Sequence, residues 1–360
     1  MQTAGYDLLS VARLHDIIRA WESVFIAVVG DFFLDRYLII DPALTEPSLE
    51  TGLDAYQVIE KRPQPGAAGT VTSNLLALNV ADVTPVGISG DDGEGYELRT
   101  ALEQQAVDME QFLTVTGLMT PTYTKPLVRE ADGSLRELNR LDIRNREPIP
   151  RNLERAIIQR LEHVAATCDA VIISDQEDNP EWGVITPRVV AALAEIAGND
   201  PNGLYWVDSR GDIARFRHCV IKSNAFEACR AAGIEYAGEP TLDQAQEAGE
   251  RLLEQTDARA VVVTMGAEGV LVIAPEIEAV HVPGVRVEGP IDIVGAGDSF
   301  TAGMVATLAV RGTGWGEAAM VGNLVASITI QQLGTTGVAT PEQLVQRLRD
   351  VHAGRVPGAS

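Results

Sequence analysis

Asp298 follows the run Gly295-Ala296-Gly297 and leads into the apolar, helix-spaced stretch FTAGMVATLAV. A carboxylate can give and take protons. Glycines at a helix N-terminus leave backbone N–H groups open to an anion, and the helix dipole favours negative charge there. The run therefore reads in two ways. In one, Gly295, Ala296, Gly297 and Asp298 cradle a phosphoryl group while Asp298 takes a proton from an attacking hydroxyl. In the other, the glycines form a plain turn and Asp298 caps the helix.

Further candidates sit at the ends of strand-like runs. GDFFLD (30–35) carries Asp31 and Asp35, carboxylates able to accept paired hydrogen bonds from sugar hydroxyls, or merely solvated loop groups. PGAAGTVTSN (65–74) sets Gly66 and Thr70 in a glycine-rich turn that suits tight packing as well as ligand approach. KSNAFEAC (222–229) spaces Asn224 and Glu227 three apart, a pair that can hold hydrated Mg²⁺ or cap a helix. VVTMGAEG (262–269) places Thr264, Gly266 and Gly269 where a hairpin turn is the simpler reading.

The elements that must position these groups alternate. VFIAVVGD (24–31), DAVIISD (169–175), LYWVDS (204–209), HCVIKSN (218–224) and RAVVVTMG (259–266) are continuous apolar runs, as in strands buried on both faces. Helix-period stretches separate them, among them NLERAIIQRLEHVAA, PRVVAALAEIA and LDQAQEAGERLLEQ. GVLVIA (269–274) reads as a hairpin partner of the last strand. This pattern predicts an α/β fold: a doubly wound, mostly parallel sheet with helices on both faces. Two stretches break the rhythm, at about 37–66 and 121–143, the second turning at Asp132-Gly133-Ser134. Both read as a small β lid over the sheet edge. The whole of 1–360 reads as a single domain, without repeats or a long linker.

Composition narrows the partners. The 360 residues carry 51 acidic and 28 basic side chains, a net charge of −23 that repels nucleic acid and anionic membranes. Only Lys61, Lys125 and Lys222 are lysines. An anionic substrate must therefore be met by local cations or amides. No run of about 18 apolar residues offers a membrane span, and no leader-like segment opens the chain. Three cysteines without metal spacing suit a reducing cytoplasm.

Taken together, the order of these motifs resembles the pfkB or ribokinase-like family of carbohydrate kinases over about residues 20–345. The likeness is nearest to the heptose-7-phosphate kinases within it, through VVGDFFLDRY, RLD (140–142), SD (174–175), GVITPRVV (183–190) and VASITIQQLGT (325–335). The resemblance implies a ribokinase-like fold and transfer of the γ-phosphate of ATP, with Mg²⁺, to a hydroxyl of a sugar or sugar phosphate. By position, Asp298 matches the base and Gly295-Ala296-Gly297 the anion hole. Asn224 and Glu227 match the pair that organises Mg²⁺ through water. Thr264, Gly266, Gly269 and Asn323 match the nucleotide site, and Asp292 a monovalent-cation ligand, for K⁺. Asp31, Asp35, Gly66, Thr70, Lys125 and Arg140 fall on the sugar side. The lid matches one that often forms a homodimer.

Departures matter too. Where the family has Gly-Gly and then Asn, this chain has Gly66, Ala67 and Thr70. Leu127 replaces a lid arginine, and the acidic segment QEDNPEWG (176–183) lacks the usual lysine. These changes predict that a heptose 7-phosphate is a poor acceptor. Rival readings are a heptose-7-phosphate kinase proper, a kinase of nucleosides or other alcohols, and a non-catalytic sugar or nucleotide sensor. The absence of an HxGH run argues against a fused adenylyltransferase.

Overall fold

The computed structural model describes residues 2, 3, 5–275 and 277–356. Its principal elements are α1 (Val11–Trp21), β1 (Phe25–Gly30), β2 (Phe32–Ile40), β3 (Val58–Ala67), α2 (Ala68–Ala77), β4 (Asp82–Val86) and α3 (Gly93–Glu103). There follow β5 (Thr122–Arg129), β6 (Leu135–Glu137), β7 (Leu141–Ile143), α4 (Arg151–Thr167), β8 (Ala170–Asp175), α5 (Pro187–Asn199), β9 (Leu204–Ser209), β10 (Val220–Asn224) and α6 (Ala225–Ala232). The last third holds α7 (Leu242–Thr256), β11 (Ala260–Thr264), β12 (Val270–Ile273), β13 (Val280–Val282), α8 (Ala296–Leu308), α9 (Trp315–Thr329) and α10 (Pro341–His352).

The apolar runs form one sheet in the order β13-β12-β11-β10-β9-β8-β1-β4, with Gln2–Thr3 on its far edge. Strands β4 to β11 are parallel, while β11-β12-β13 is antiparallel. Burial explains the composition: Ile26, Ala27, Val28 and Val29 of β1 are all fully buried, because helices cover both faces. One core packs β1 and its neighbours against α1, α2, α8, α9 and α10. A second core on the other face involves α4, α5, α6 and α7. The order reverses beside β1, since the chain goes to β4 on one flank and to β8 on the other. Ligand crevices form at such points, at the carboxyl ends of the strands.

The lid is a second sheet, β6-β5-β2-β3, with β7 paired to β5. It starts earlier than its sequence suggests, because β2 runs from Phe32 almost directly out of β1. Asp35 therefore lies within the lid rather than at the end of a core strand. The turn at Asp132-Gly133-Ser134 does join β5 to β6.

Candidate active site

Gly295 caps α8 with φ 77° and ψ 4°, the left-handed conformation that glycine adopts without strain. The N–H of Ala296 is already spent on the Ile293 carbonyl at 3.1 Å. Helix geometry leaves the amides of Gly297 and Asp298 without intrahelical acceptors. The open amides are thus fewer than the sequence implies, and a lysine side chain lies beside them. Lys222, in the middle of β10, reaches Gly297, where an added Cβ would stand 2.9 Å from its Nζ. The same ammonium donates to Asp208 Oδ2 at 2.6 Å.

The electrostatics follow from this grouping. Burial opposes the Lys222 charge, but Asp208, Asp298 and Glu227 outweigh it and hold its pKa above the ordinary value. Burial pushes the Asp298 carboxyl up to about 7, and Asp208 adds to the rise. Lys222 and Arg210 pull the other way. A carboxylate poised near neutrality suits a general base. Lys222 and Asp208 were missed in the sequence. The available signal was a lysine two residues before Asn224, in a chain with only three lysines.

In the lid, Asp35 pairs in register with Tyr123 of β5 and with Gln64 of β3. Its Oδ2 lies 3.4 Å from Lys125 Nζ. Gly66 backs the same carboxylate closely, since a Cβ there would sit 3.0 Å from it. Burial raises the Asp35 pKa, against the pull of Lys125, Arg140 and Arg210. The Tyr123 ring carries Arg140 at 4.1 Å and Arg144 at 5.3 Å, and Arg144 donates to its hydroxyl at 2.5 Å. Arg210, exposed on the turn after β9, acts electrostatically on Tyr123, Asp35 and Asp298 alike. Arg140 is itself paired with Asp142 at 2.7 Å and Arg144 with Asp178 at 3.3 Å, so acidic neighbours already balance these two cations.

Two sugar-side expectations need correction. Asp31 is spent on the chain itself: its Oδ2 accepts from the N–H groups of Gln176 (2.8 Å) and Glu177 (3.1 Å), and its Oδ1 from Val184 (2.7 Å). It fastens the 176–184 loop, whereas, among the described residues, no such loop amides bind Asp35. The Thr70 hydroxyl turns back to the Pro65 carbonyl at 3.5 Å, while its methyl approaches Gly295. A cavity of about 610 Å³ is lined by Asp175, Glu177, Asp178 and Arg215 together with residues of α5.

A sequence model described as pfkB family carbohydrate kinase matches residues 37–343. The chain belongs to the pfkB family of carbohydrate kinases. It is a phosphotransferase with an alcohol group as acceptor. Among curated relatives, the bifunctional protein HldE of Trichlorobacter lovleyi is 30% identical over 88% of this chain and 61% of its own length. HldE of Wolinella succinogenes is 29% identical over 91% of this chain and 65% of its own. The chain thus spans under two thirds of these relatives. Among solved structures, Escherichia coli phosphofructokinase-2 in complex with substrates and products aligns with TM-score 0.68 at 18% identity, over 91% of this chain and 99% of that one. Arabidopsis thaliana ribokinase complexed with ribose and ATP aligns with TM-score 0.65 at 17% identity, with the same coverage. Both show the ribokinase fold of this pfkB kinase.

The remaining expected residues of the kinase lie at the start of α6, on β11, in the turn into β12, on α9 and in the loop before α8. Asn224 and Glu227 form a reciprocal capping box on α6, with N–H to oxygen distances of 2.9 Å each way. The bland reading of that spacing is therefore realised, which leaves one Glu227 oxygen outside the box. Thr264 ends β11, its hydroxyl 3.4 Å from the Ser223 carbonyl. Gly266 and Gly269 bracket the turn into β12. Asn323 of α9 donates to the carbonyls of Val282 (3.2 Å) and Pro283 (3.0 Å), so its amide holds the chain after β13. Asp292 accepts from the N–H groups of Val294 (3.1 Å) and Gly334 (3.3 Å). Among the described residues, no three His, Cys, Asp or Glu side chains cluster as a metal site, and no helix is long and apolar enough to cross a membrane.

Proposed function

We propose that this pfkB kinase transfers the γ-phosphate of ATP to a hydroxyl of a sugar or sugar phosphate. The observation that carries the reading is Asp298, with its pKa near 7, on the same helix turn as the Gly297 cradle and beside the Lys222 ammonium. Asp35 orients the acceptor. Asp298 takes the proton from its attacking hydroxyl. The amides of Gly297 and Asp298, with Lys222, meet the charge that develops on the transferred group. The lid keeps water from competing as acceptor. Mg²⁺, when bound, supplies charge neutralisation of the phosphates. Asn224 and the free Glu227 oxygen suit holding it through water, because their other atoms are committed to the cap. Asp292 is the candidate for a monovalent cation such as K⁺. The exposed Leu49, Leu53, Val58 and Ile59 on and beside β3 suit a homodimer through the lid.

Of the two acceptor classes, the phosphorylated one would draw on Arg140 and Arg144 beside Tyr123, which now pair with Asp142 and Asp178. The fold likeness alone leaves nucleosides and other alcohols as substrates to test. ADP release should be followed over neutral pentoses, hexoses and heptoses and their terminal phosphates, with wild type and Asp298→Asn. A sugar or sugar phosphate should raise wild-type ADP release well above the rate without acceptor. Failure of every such acceptor, or full activity in Asp298→Asn, would overturn the reading.

A further inference from the structure

The lid and the phosphate cradle are joined by one side chain that neither motif contains. Gln64 lies on β3, in register with Asp35 on β2. Its Nε2 donates to the Thr335 hydroxyl at 2.9 Å, and its Oε1 accepts from the Thr336 hydroxyl at 3.3 Å. These threonines belong to the loop after α9, far from β3 in sequence. That loop is laced to the cradle twice. Gly334 N–H donates to Asp292 Oδ2 at 3.3 Å, and Asp292 N–H donates to the Ile330 carbonyl at 2.8 Å. The Thr336 methyl flanks Gly295, 3.5 Å from where a Cβ would stand, with the Thr70 methyl opposite at 3.3 Å.

We propose that Gln64 is a positioning residue that couples the seating of the lid to the shape of the 292–298 turn. The inference rests on the kinase reading above. An acceptor that engages Asp35 fixes β2, and β3 moves with it through the antiparallel ladder. Gln64, already bonded to Thr335 and Thr336 before any acceptor binds, is held there by the seated lid, and Thr336 holds Gly295 so that the Gly297 and Asp298 amides point at the phosphate. Without a seated lid the threonines lose that brace, and the turn relaxes. The device favours transfer to the acceptor over transfer to water. A glutamine suits the task because its amide donates and accepts at once.

The test uses Gln64→Leu, which keeps the volume and removes both bonds, together with Gln64→Glu and Thr336→Val. Hydrogen–deuterium exchange of the full chain without ligand reads the coupling independently of catalysis. In Gln64→Leu, exchange across 292–298 should rise at least several-fold, with α4 and α5 unchanged. With the best acceptor of the panel, kcat should fall about tenfold while KM for ATP stays within about twofold, as expected when orientation rather than binding is lost. Gln64→Glu, which keeps the acceptor oxygen for Thr336, should recover part of that loss. Thr336→Val combined with Gln64→Leu should cost little more than either alone. Unchanged exchange across 292–298 would overturn the proposal, as would full additivity of the two substitutions. If instead Asp298→Asn proved fully active, the kinase reading itself would fail, whatever Gln64 did.

Discussion

Replacing Asp298 with asparagine should stabilise the protein while disabling it, and the gain should depend on pH. The folded protein raises this carboxyl from an ordinary 3.8 to about 7, chiefly through burial and the charge of Asp208. A rise of about 3 in pKa corresponds to about 4 kcal/mol between the two protonation states. Asp298 is partly exposed, so solvent screening brings the usable figure to about 2 kcal/mol. The sign follows from proton binding. Below about pH 4 both folded and unfolded chains hold the proton, and Asp298 costs nothing. Between pH 4 and 7 only the unfolded chain releases it, so wild-type stability falls; above 7 the full penalty applies. Asparagine keeps the shape without the charge, and Lys222 retains Asp208 as partner. Thermal melts of both proteins from pH 4 to 8.5 should therefore converge near pH 4. At and above pH 7 they should separate by a few degrees in favour of the variant. A difference that is flat with pH, or a wild type more stable at pH 8, would refute the burial argument.

Other outcomes follow from the same geometry. Wild-type kcat/KM should rise through about pH 7 and level off above it, since the base acts as its carboxylate; a profile flat from pH 5.5 to 8.5 would remove Asp298 from that role. Lys222→Met should lower kcat about a hundredfold and destabilise by about 3–5 kcal/mol by leaving Asp208 buried without its partner, with Asp208→Asn added to it restoring part of the stability in chemical denaturation. Ala67 sits at φ 55° and ψ −118°, a strained conformation for a residue with a Cβ, so Ala67→Gly should raise stability by about 1 kcal/mol, read as a higher Tm. Arg210→Ala should raise KM for phosphorylated sugars at least tenfold and spare neutral ones, and equal effects on both would take Arg210 out of acceptor recognition.

The sheet was legible because burial on both faces writes itself as unbroken apolar runs, and β1, β8, β10 and β11 all fall where those runs stand. The glycine turn before Asp298 was legible because its signal is local: a left-handed residue followed at once by a helix. What escaped depends on contacts between distant segments. Asp31 and Asp35 are two equivalent carboxylates in sequence. Only the return of residues 176–184 onto Asp31 separates the loop anchor from the lid carboxylate. Lys222 reads as a strand lysine until α8 places Gly297 against it, and Arg210 reads as a loop arginine until the fold sets its charge to act on Tyr123, Asp35 and Asp298. The lid's beginning was misjudged because β2 continues β1 without a turn signal between them.

The central claim is that the turn at 295–298 carries out phosphoryl transfer with Asp298 as base. It is tested most directly by following ³²P from γ-labelled ATP into products, separated by chromatography, with the best sugar or sugar-phosphate acceptor. The account predicts label on the acceptor with wild type, and a loss of about 10²–10⁴-fold in Asp298→Asn with nucleotide affinity preserved. Label released only as inorganic phosphate by wild type, or delivered to the acceptor equally fast by Asp298→Asn, would contradict it.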